Sequence, residues 1–258
     1  MANYYFLAAS LPPLAIGQKS DLSFQELKNR LAINLDKTDF TKTVVLREMI
    51  DLNNIRALFL KEPIDPRGNL SEKELDEALL VRALLPSFVF DFLDRYETIE
   101  EKLNHFSGLL ATFFIEETPL QKGFLKNYLI FEKEYRLVLV ALRAKQQGRD
   151  VTRELQFEDF SDPLVAHILA QKDASSYEPP VDFHELKEIM LSSSMDPWLM
   201  NKRFVEWKFR RIAELVDSPP FTIDWILAYM AQLMLVEQWN ELDGEKGIRI
   251  IKNRLMNE

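Results

Sequence analysis

The chain has no cysteine and only seven glycines among its 258 residues. The missing thiols exclude disulfides, thiolate-bound metals and a cysteine nucleophile. Glycine is the usual residue of tight turns and phosphate-binding loops, so its scarcity disfavours many-turned β folds. Neither GxxxxGK[ST] nor GxGxxG occurs, which leaves the chain without the common signatures of nucleotide binding.

Long apolar runs and a basic charge balance are also missing. The formal net charge is −9, and such an acidic field repels phosphate backbones, so we expect no nucleic-acid partner. The most apolar stretches, 109–115 and 226–236, are shorter than the ~20 residues that cross a bilayer. The N-terminus lacks the basic start and full apolar run of a secretory signal. These features predict a cytoplasmic protein with no direct membrane insertion.

Helical periodicity dominates what is present. Apolar side chains recur at steps of three and four along the segment that ends before Pro63, as an amphipathic helix requires. Ser71 with Glu74, and Thr98 with Glu101, match the capping box that opens a helix. We therefore predict an all-α fold of about ten helices in repeated bundles, including a helix of about 28 residues after Pro119.

Prolines and composition changes suggest four parts. Pro12 and Pro13 favour extended backbone before them, which predicts an apolar arm that packs through Tyr4, Phe6 and Leu7. A last helix is expected from about Glu245 to Leu255. The predicted parts are the arm at 1–20, a first bundle at 21–97, a second bundle with its linker at 98–180, and a C-terminal bundle at 181–258.

Catalytic and metal-binding patterns are not apparent. The three histidines, His105, His167 and His184, are far apart in sequence and form no HExxH pair. His105 follows Glu101 by four residues, a spacing that favours an ordinary helix contact over a metal site. The adjacent acids Glu116 and Glu117 are typical of a solvated helix face. We expect no cofactor and no enzymatic activity, with an all-helical enzyme as the remaining alternative.

One segment of the chain has a similar sequence pattern elsewhere in the chain. Asp51-Leu52-Asn53-Asn54-Ile55-Arg56 is followed by Gly68, and Phe131-Glu132-Lys133-Glu134-Tyr135-Arg136 by Gly148 at the same offset. Shorter matches to the same pattern lie at 206–210 and 245–251. On a helix the apolar residue of each copy faces the bundle, and the arginine lies at its edge. A structural role is the first interpretation of these arginines, and a binding role the second.

These motifs resemble the C subunit of archaeal and bacterial V-type ATP synthases, equivalent to the d subunit of eukaryotic V-ATPases. The segment 51–56 is similar to that family's Asp-x-x-Asn-Ile motif, 142–148 to its Leu-Arg-x-Lys ending, and 247–251 to its terminal Asn-Ile-Arg segment. The whole chain more closely resembles a smaller bacterial family of uncharacterised proteins encoded within V-type ATP synthase operons, notably by its opening, 3–12. Gly247 and Glu134 depart from the asparagines that the C-subunit motif has there.

The resemblance implies a non-catalytic socket on the cytosolic face of the membrane. Such a protein receives the central rotor stalk in a funnel formed by three helical bundles and couples it to the membrane ring, in proton or sodium transport. The implied partners are the central stalk subunits and the membrane rotor ring. The alternative is a helical interaction or assembly factor that is not part of the rotor.

Four tryptophans lie in the last quarter of the chain, at 198, 207, 225 and 239. Most are expected in the core, yet tryptophan is enriched where one protein binds another, so an exposed one is the first interface candidate. The interaction candidates are therefore Asp51, Asn54, Arg56, Arg136, Arg143, Arg249, Trp198 and Trp207.

Overall fold

A computed structural model describes residues 3–242, which form thirteen α-helices and two short 3-10 helices and contain no strand in that range. The predicted all-α fold class is confirmed, whereas the funnel is not. The helices are α1 (Tyr5–Ala9), α2 (Phe24–Asn34), α3 (Lys37–Leu60), α4 (Glu72–Val81), α5 (Ser87–Arg95), α6 (Ile99–Asn104), α7 (Phe106–Glu117), α8 (Gly123–Gln146), α9 (Val151–Glu154), α10 (Pro163–Ala170), α11 (His184–Ser192), α12 (Pro197–Glu214) and α13 (Ile223–Glu241), with 3-10 turns at Thr118–Leu120 and Val181–Phe183.

These elements belong to two compact units. Within the described residues, the terminal unit comprises 3–35 and 188–242, and the central unit comprises Asp36–Lys187. The predicted boundaries near residues 20, 97 and 180 stay predictions. The expected helix at 245–255 and the candidate Arg249 lie outside the described residues.

Capping side chains begin most of the longer helices where the sequence predicts. Ser71 and Thr98 each accept the N–H of the glutamate three residues later, and both capping boxes are complete. Asp162 and Asp196 cap α10 and α12 in front of a proline at the first helical position. The helix predicted from Pro119 is in fact divided, because Gln121 and Lys122 are extended between the 3-10 turn and α8.

The N-terminal segment differs from the predicted extended arm, because Tyr5–Ala9 form a short helix. The two prolines restrict only the residues next to them, and the helix ends before that point. Leu7 is buried as expected, and the Tyr4 N–H donates to the Phe221 carbonyl over 2.8 Å. Phe6, however, is 93% exposed and does not anchor the segment.

The terminal unit is organised around α13, whose side chains are buried on nearly every face. A helix of this kind needs neighbours all round, and α2 and α12 pack against it. The Glu237 carboxylate accepts the N–H of Phe24 at the start of α2 over 2.6 Å. The Tyr229 hydroxyl donates to the Pro12 carbonyl over 2.9 Å, which holds the proline segment on α13.

In the central unit a buried polar network ties the loop after α3 back onto that helix. Asn54 donates to the Asp65 carbonyl over 2.9 Å and accepts the Asp65 N–H over 2.8 Å. Asp51 accepts the N–H groups of Asn69 and Leu70 over 2.7 and 3.2 Å. Buried backbone groups need partners, so these two side chains replace the water that the loop loses.

Gly68 lets this loop approach α3 closely. A β-carbon at this position would lie 2.5 Å from the Asp51 Oδ1 atom and 2.9 Å from the Asn54 Nδ2 atom. The Gly68 carbonyl in turn accepts a bond of 3.1 Å from the buried Arg47 guanidinium. A larger residue at position 68 would therefore disrupt the hydrogen bonds that Asp51 and Asn54 make to the loop.

We expect Asn54→Ala to lower the free energy of unfolding by about 2 kcal/mol, because it leaves the Asp65 N–H and carbonyl without their partner. Urea unfolding measures this change. Asn53→Ala is the matched control: Asn53 is exposed and only back-bonds to Met49, so its loss should cost below about 0.5 kcal/mol. Equal losses for the two variants would contradict the role assigned to the network.

Candidate protein-interaction surface

The predicted site residues do not gather at one place. Asp51 and Asn54 are buried in the loop network of the central unit, where they serve the fold. Arg56 and Arg143 are exposed, and Trp207 is buried in the terminal unit. Trp198 is 45% exposed, so it is the candidate best placed to touch another molecule. An interaction role for the others stays a prediction.

The two copies of the repeat have different surroundings. Asn54 is buried and bonded to Asp65, whereas its counterpart Glu134 is only half-buried. Burial and the nearby Asp162 carboxylate raise the pKa of Glu134. Arg136 lies 2.5 Å from the Glu158 carboxylate, but its counterpart Arg56 faces solvent. The two segments match in sequence but differ in their side-chain contacts.

Trp198 belongs to a run of exposed apolar residues around the turn between α11 and α12. Its other members are Leu191, Met195 and Leu199, and Met195 is 96% exposed. Met195, Trp198 and Leu199 are three and four residues apart, a spacing that keeps side chains on one side of a helix start. We call these four residues the Trp198 surface.

The turn that carries this surface is held by specific bonds. The Asp196 carboxylate accepts the N–H of Leu199 over 3.0 Å and caps α12. Arg203 donates to the hydroxyls of Ser192 and Ser193 over 3.0 and 3.1 Å, which links the end of α11 to the second turn of α12. Ser192 and Ser193 therefore help to hold the turn between the two helices.

The Trp198 ring also has a fixed support inside the terminal unit. It lies 4.6 Å, between ring centroids, from the ring of Trp239, which is itself buried. Aromatic pairs at this separation gain stability beyond the area they bury. One face of Trp198 is therefore fixed on the core while the rest of the ring remains open to solvent.

The helix behind this surface is basic, unlike the chain as a whole. α12 carries five Lys and Arg residues and two glutamates. Lys202 follows Trp198 by one helical turn and lies 3.7 Å from the Glu206 carboxylate, a loose and exposed pairing. Exposed pairs of this kind contribute little stability, so Lys202 can exchange Glu206 for another carboxylate.

A cleft lined by polar and charged side chains lies in the central unit. This cleft of about 350 Å³ is lined by Asn104, His105, Ser107, Arg153, Glu154 and Gln156. The His105 imidazole lies 2.8 Å from the Glu101 carbonyl and stacks on Tyr96 at 4.3 Å between centroids. The expected contact between His105 and Glu101 thus involves the backbone, while the Glu101 carboxylate caps α6.

Between residues 3 and 242, no three His, Asp or Glu side chains gather closely enough to hold a metal ion. Among the helices of that same range, none combines the length and apolar character that a bilayer crossing requires.

A pair of acids does lie in an unusual environment beside the loop network. Burial, with smaller contributions from the Glu117 and Asp51 carboxylates, raises the pKa of Glu48 to about 7. Burial also raises the pKa of Glu117. The Glu48 Oε2 and Thr118 hydroxyl oxygens are buried without a hydrogen-bond partner among the described residues. We therefore expect the raised pKa of Glu48 to reduce the free energy of unfolding as the pH rises toward 7.

These observations describe a class of protein: an all-helical chain with buried structural polar groups and an exposed, supported apolar surface. The chain belongs to the family described as "Protein of unknown function (DUF2764)", whose sequence model matches residues 1–258. Similar relatives are uncharacterised proteins of Chlamydia muridarum and Chlamydia trachomatis, each 29% identical over 257 residues and 97% of both chains. A Chlamydia pneumoniae relative is 28% identical over 259 residues, covering 98% of this chain and 97% of its own.

No solved structure matches the chain. The assignment to the C-subunit or d-subunit family is wrong, since the matching family is another one and neither its description nor the relatives' names mention an ATP synthase. The motif that suggested it has a local explanation: Asp51 and Asn54 hold the loop after α3.

We expect Glu48→Gln to raise the free energy of unfolding at pH 8 by about 1 to 2 kcal/mol and to change it little at pH 4.5. The raised pKa means that the folded state keeps a proton which the unfolded chain releases above about pH 4.5. Wild-type stability therefore falls as pH rises toward 7, and the amide removes that loss. Urea unfolding at both pH values tests this, with exposed Glu62→Gln as the control. An equal rise in the free energy of unfolding at both pH values would contradict the raised pKa assigned to Glu48.

Proposed function

We propose that this chain is a non-catalytic adaptor that holds other proteins, and that the Trp198 surface is one of its contacts. The observation that carries the proposal is Trp198 itself, a tryptophan left 45% exposed and supported from beneath by Trp239. The fold leaves part of this large aromatic ring uncovered. Tryptophan is also among the residues most enriched at the energetic centres of protein interfaces.

The surface has the properties of a prepared binding site. Trp198 is held by its tilted contact with Trp239, and the turn by Arg203 and Asp196, so the Trp198 ring has little freedom to lose on binding. Met195 is flexible and almost fully exposed, which suits it to fit an irregular partner surface. A rigid aromatic centre beside an adaptable methionine supports recognition of an apolar segment.

The charge around the surface favours one kind of partner. Lys202 and Arg203 follow Trp198 on α12, within about one turn. Opposite charges at an interface rim speed encounter and fix orientation. The partner segment we expect has apolar anchors for Trp198 and Met195, and carboxylates for Lys202.

Coupling of a central stalk to the membrane ring of a V-type ATP synthase is the specific form of this proposal, and it names the first partners to test. An assembly factor outside the rotor is the second form, and the same surface would support it. A peripheral position at the cytosolic face of the membrane belongs to the first form only. Catalysis by the polar cleft around His105 is a separate alternative.

The direct test mixes the purified chain with the stalk and ring subunits of the same cell's V-type ATP synthase at low and moderate salt. For the adaptor we expect a complex that Trp198→Ala weakens at least tenfold, or about 1.4 kcal/mol. Ile33→Ala is the matched control, because Ile33 is also exposed, in the terminal unit, but lies on α2.

The outcomes of this binding test distinguish the stalk adaptor from the assembly factor. No detectable complex at tens of micromolar, about −6 kcal/mol or weaker, would contradict the stalk adaptor. A native pull-down that recovers other proteins through the wild-type chain, and loses them with Trp198→Ala, would then favour the assembly factor. Complexes that survive Trp198→Ala unchanged would contradict the use of this surface.

A further inference from the structure

The end of α4 exposes a second apolar surface, in the central unit. Leu80 is 84% exposed, Leu84 is 73% exposed, and Val81 between them is also open to solvent. The buried face of α4 consists of Leu75 and Ala78, so the other three side chains are not part of the core. We call Leu80, Val81 and Leu84 the α4 tip.

The backbone of the tip is shaped by left-handed residues. Arg82 has φ 58° and Leu84 has φ 66°. For Arg82 the conformation has a structural reason, because it ends α4 and lets the Ala83 N–H donate to the Ala78 carbonyl over 3.1 Å. The Arg82 guanidinium also makes paired bonds of 2.8 and 2.6 Å with the Asp94 carboxylate.

No comparable contact among the described residues accounts for the left-handed backbone of Leu84. A left-handed backbone is costly for any residue with a β-carbon, and glycine or asparagine would take it more easily. Phe221, another left-handed residue at φ 70°, packs its ring 5.0 Å from that of Tyr5. Leu84 instead presents its side chain to solvent. Strained backbone conformations cluster at active sites and ligand-binding segments, which makes Leu84 a candidate contact residue.

The charges next to the tip are mainly acidic, and the Arg82 guanidinium within it is paired with the Asp94 carboxylate. α4 carries four carboxylates and one lysine. Asp76 and Glu77 lie one helical turn before Leu80 and Val81, so they share the outward side of the helix with them. Over the whole central unit, the sequence has 28 Asp and Glu against 20 Lys and Arg. An apolar tip with an acidic border attracts a cation-bearing apolar ligand and repels an anionic lipid surface.

We propose that the α4 tip docks a basic amphipathic helix of a partner protein. The partner's apolar stripe covers Leu80, Val81 and Leu84, and its Lys or Arg residues meet Asp76 and Glu77. A helix supplies both features at the spacing that the tip and its border present. This docking site is separate from the Trp198 surface, so it does not rest on the function proposed above.

The experiment uses the full chain and a fluorescent 18-residue peptide of leucine and lysine, with leucines at helical spacing. A peptide with glutamate in place of every lysine is its control. Fluorescence anisotropy should show micromolar binding of the lysine peptide, weakened by salt, and at least tenfold weaker binding of the glutamate peptide. Leu84→Asn should weaken binding of the lysine peptide at least tenfold while the protein melts at the same or a higher temperature, since asparagine accepts φ 66°.

Matched variants make the result specific. Leu120→Asn replaces a leucine of equal exposure, 71%, elsewhere in the central unit and should leave binding unchanged. Trp198→Ala should also leave it unchanged, which separates failure here from failure of the Trp198 surface. Equal binding by wild type and Leu84→Asn would overturn the proposal. Sedimentation that shows self-association of the chain, lost in Leu84→Asn, would overturn it in favour of a second copy.

Discussion

The bonds that Asp51 and Asn54 make to the loop after α3 are the constraint on which the central unit most depends. They satisfy backbone groups of Asp65, Asn69 and Leu70 that burial removes from water. Leu70 immediately precedes Ser71, the cap of α4. The same network therefore sets where α4 starts, and so where its exposed tip ends. A structural motif and a candidate docking site are linked through one short loop.

The local structure could largely be predicted from the sequence, because capping boxes, prolines and apolar spacing act over a few residues. Ser71, Thr98 and Asp162 begin helices as their side chains require. The loop network could not be predicted, since it joins residues far apart in sequence, such as Arg47 and Gly68, which are 21 positions apart. An arginine motif alone cannot tell whether its side chain pairs, as Arg136 does, or faces solvent, as Arg56 does.

Of the candidate site, the sequence could indicate only that an exposed tryptophan would be the first place to look. It could not distinguish Trp198 from Trp207, because exposure depends on how α12 packs against α13. The α4 tip was missed altogether. Left-handed backbone is signalled by glycine or asparagine, and at 84 the chain has a leucine instead.

If another protein covers the Trp198 surface in the cell, the accessibility of the Met195 side chain to oxidant must fall when that protein binds. Dilute peroxide should oxidise Met195 rapidly in the purified chain, because its side chain is 96% exposed, while Met230 and Met234 stay protected in the core. In native extract, where partners are bound, we expect Met195 to be oxidised several-fold more slowly. Equal oxidation of Met195 in both samples would contradict the claim.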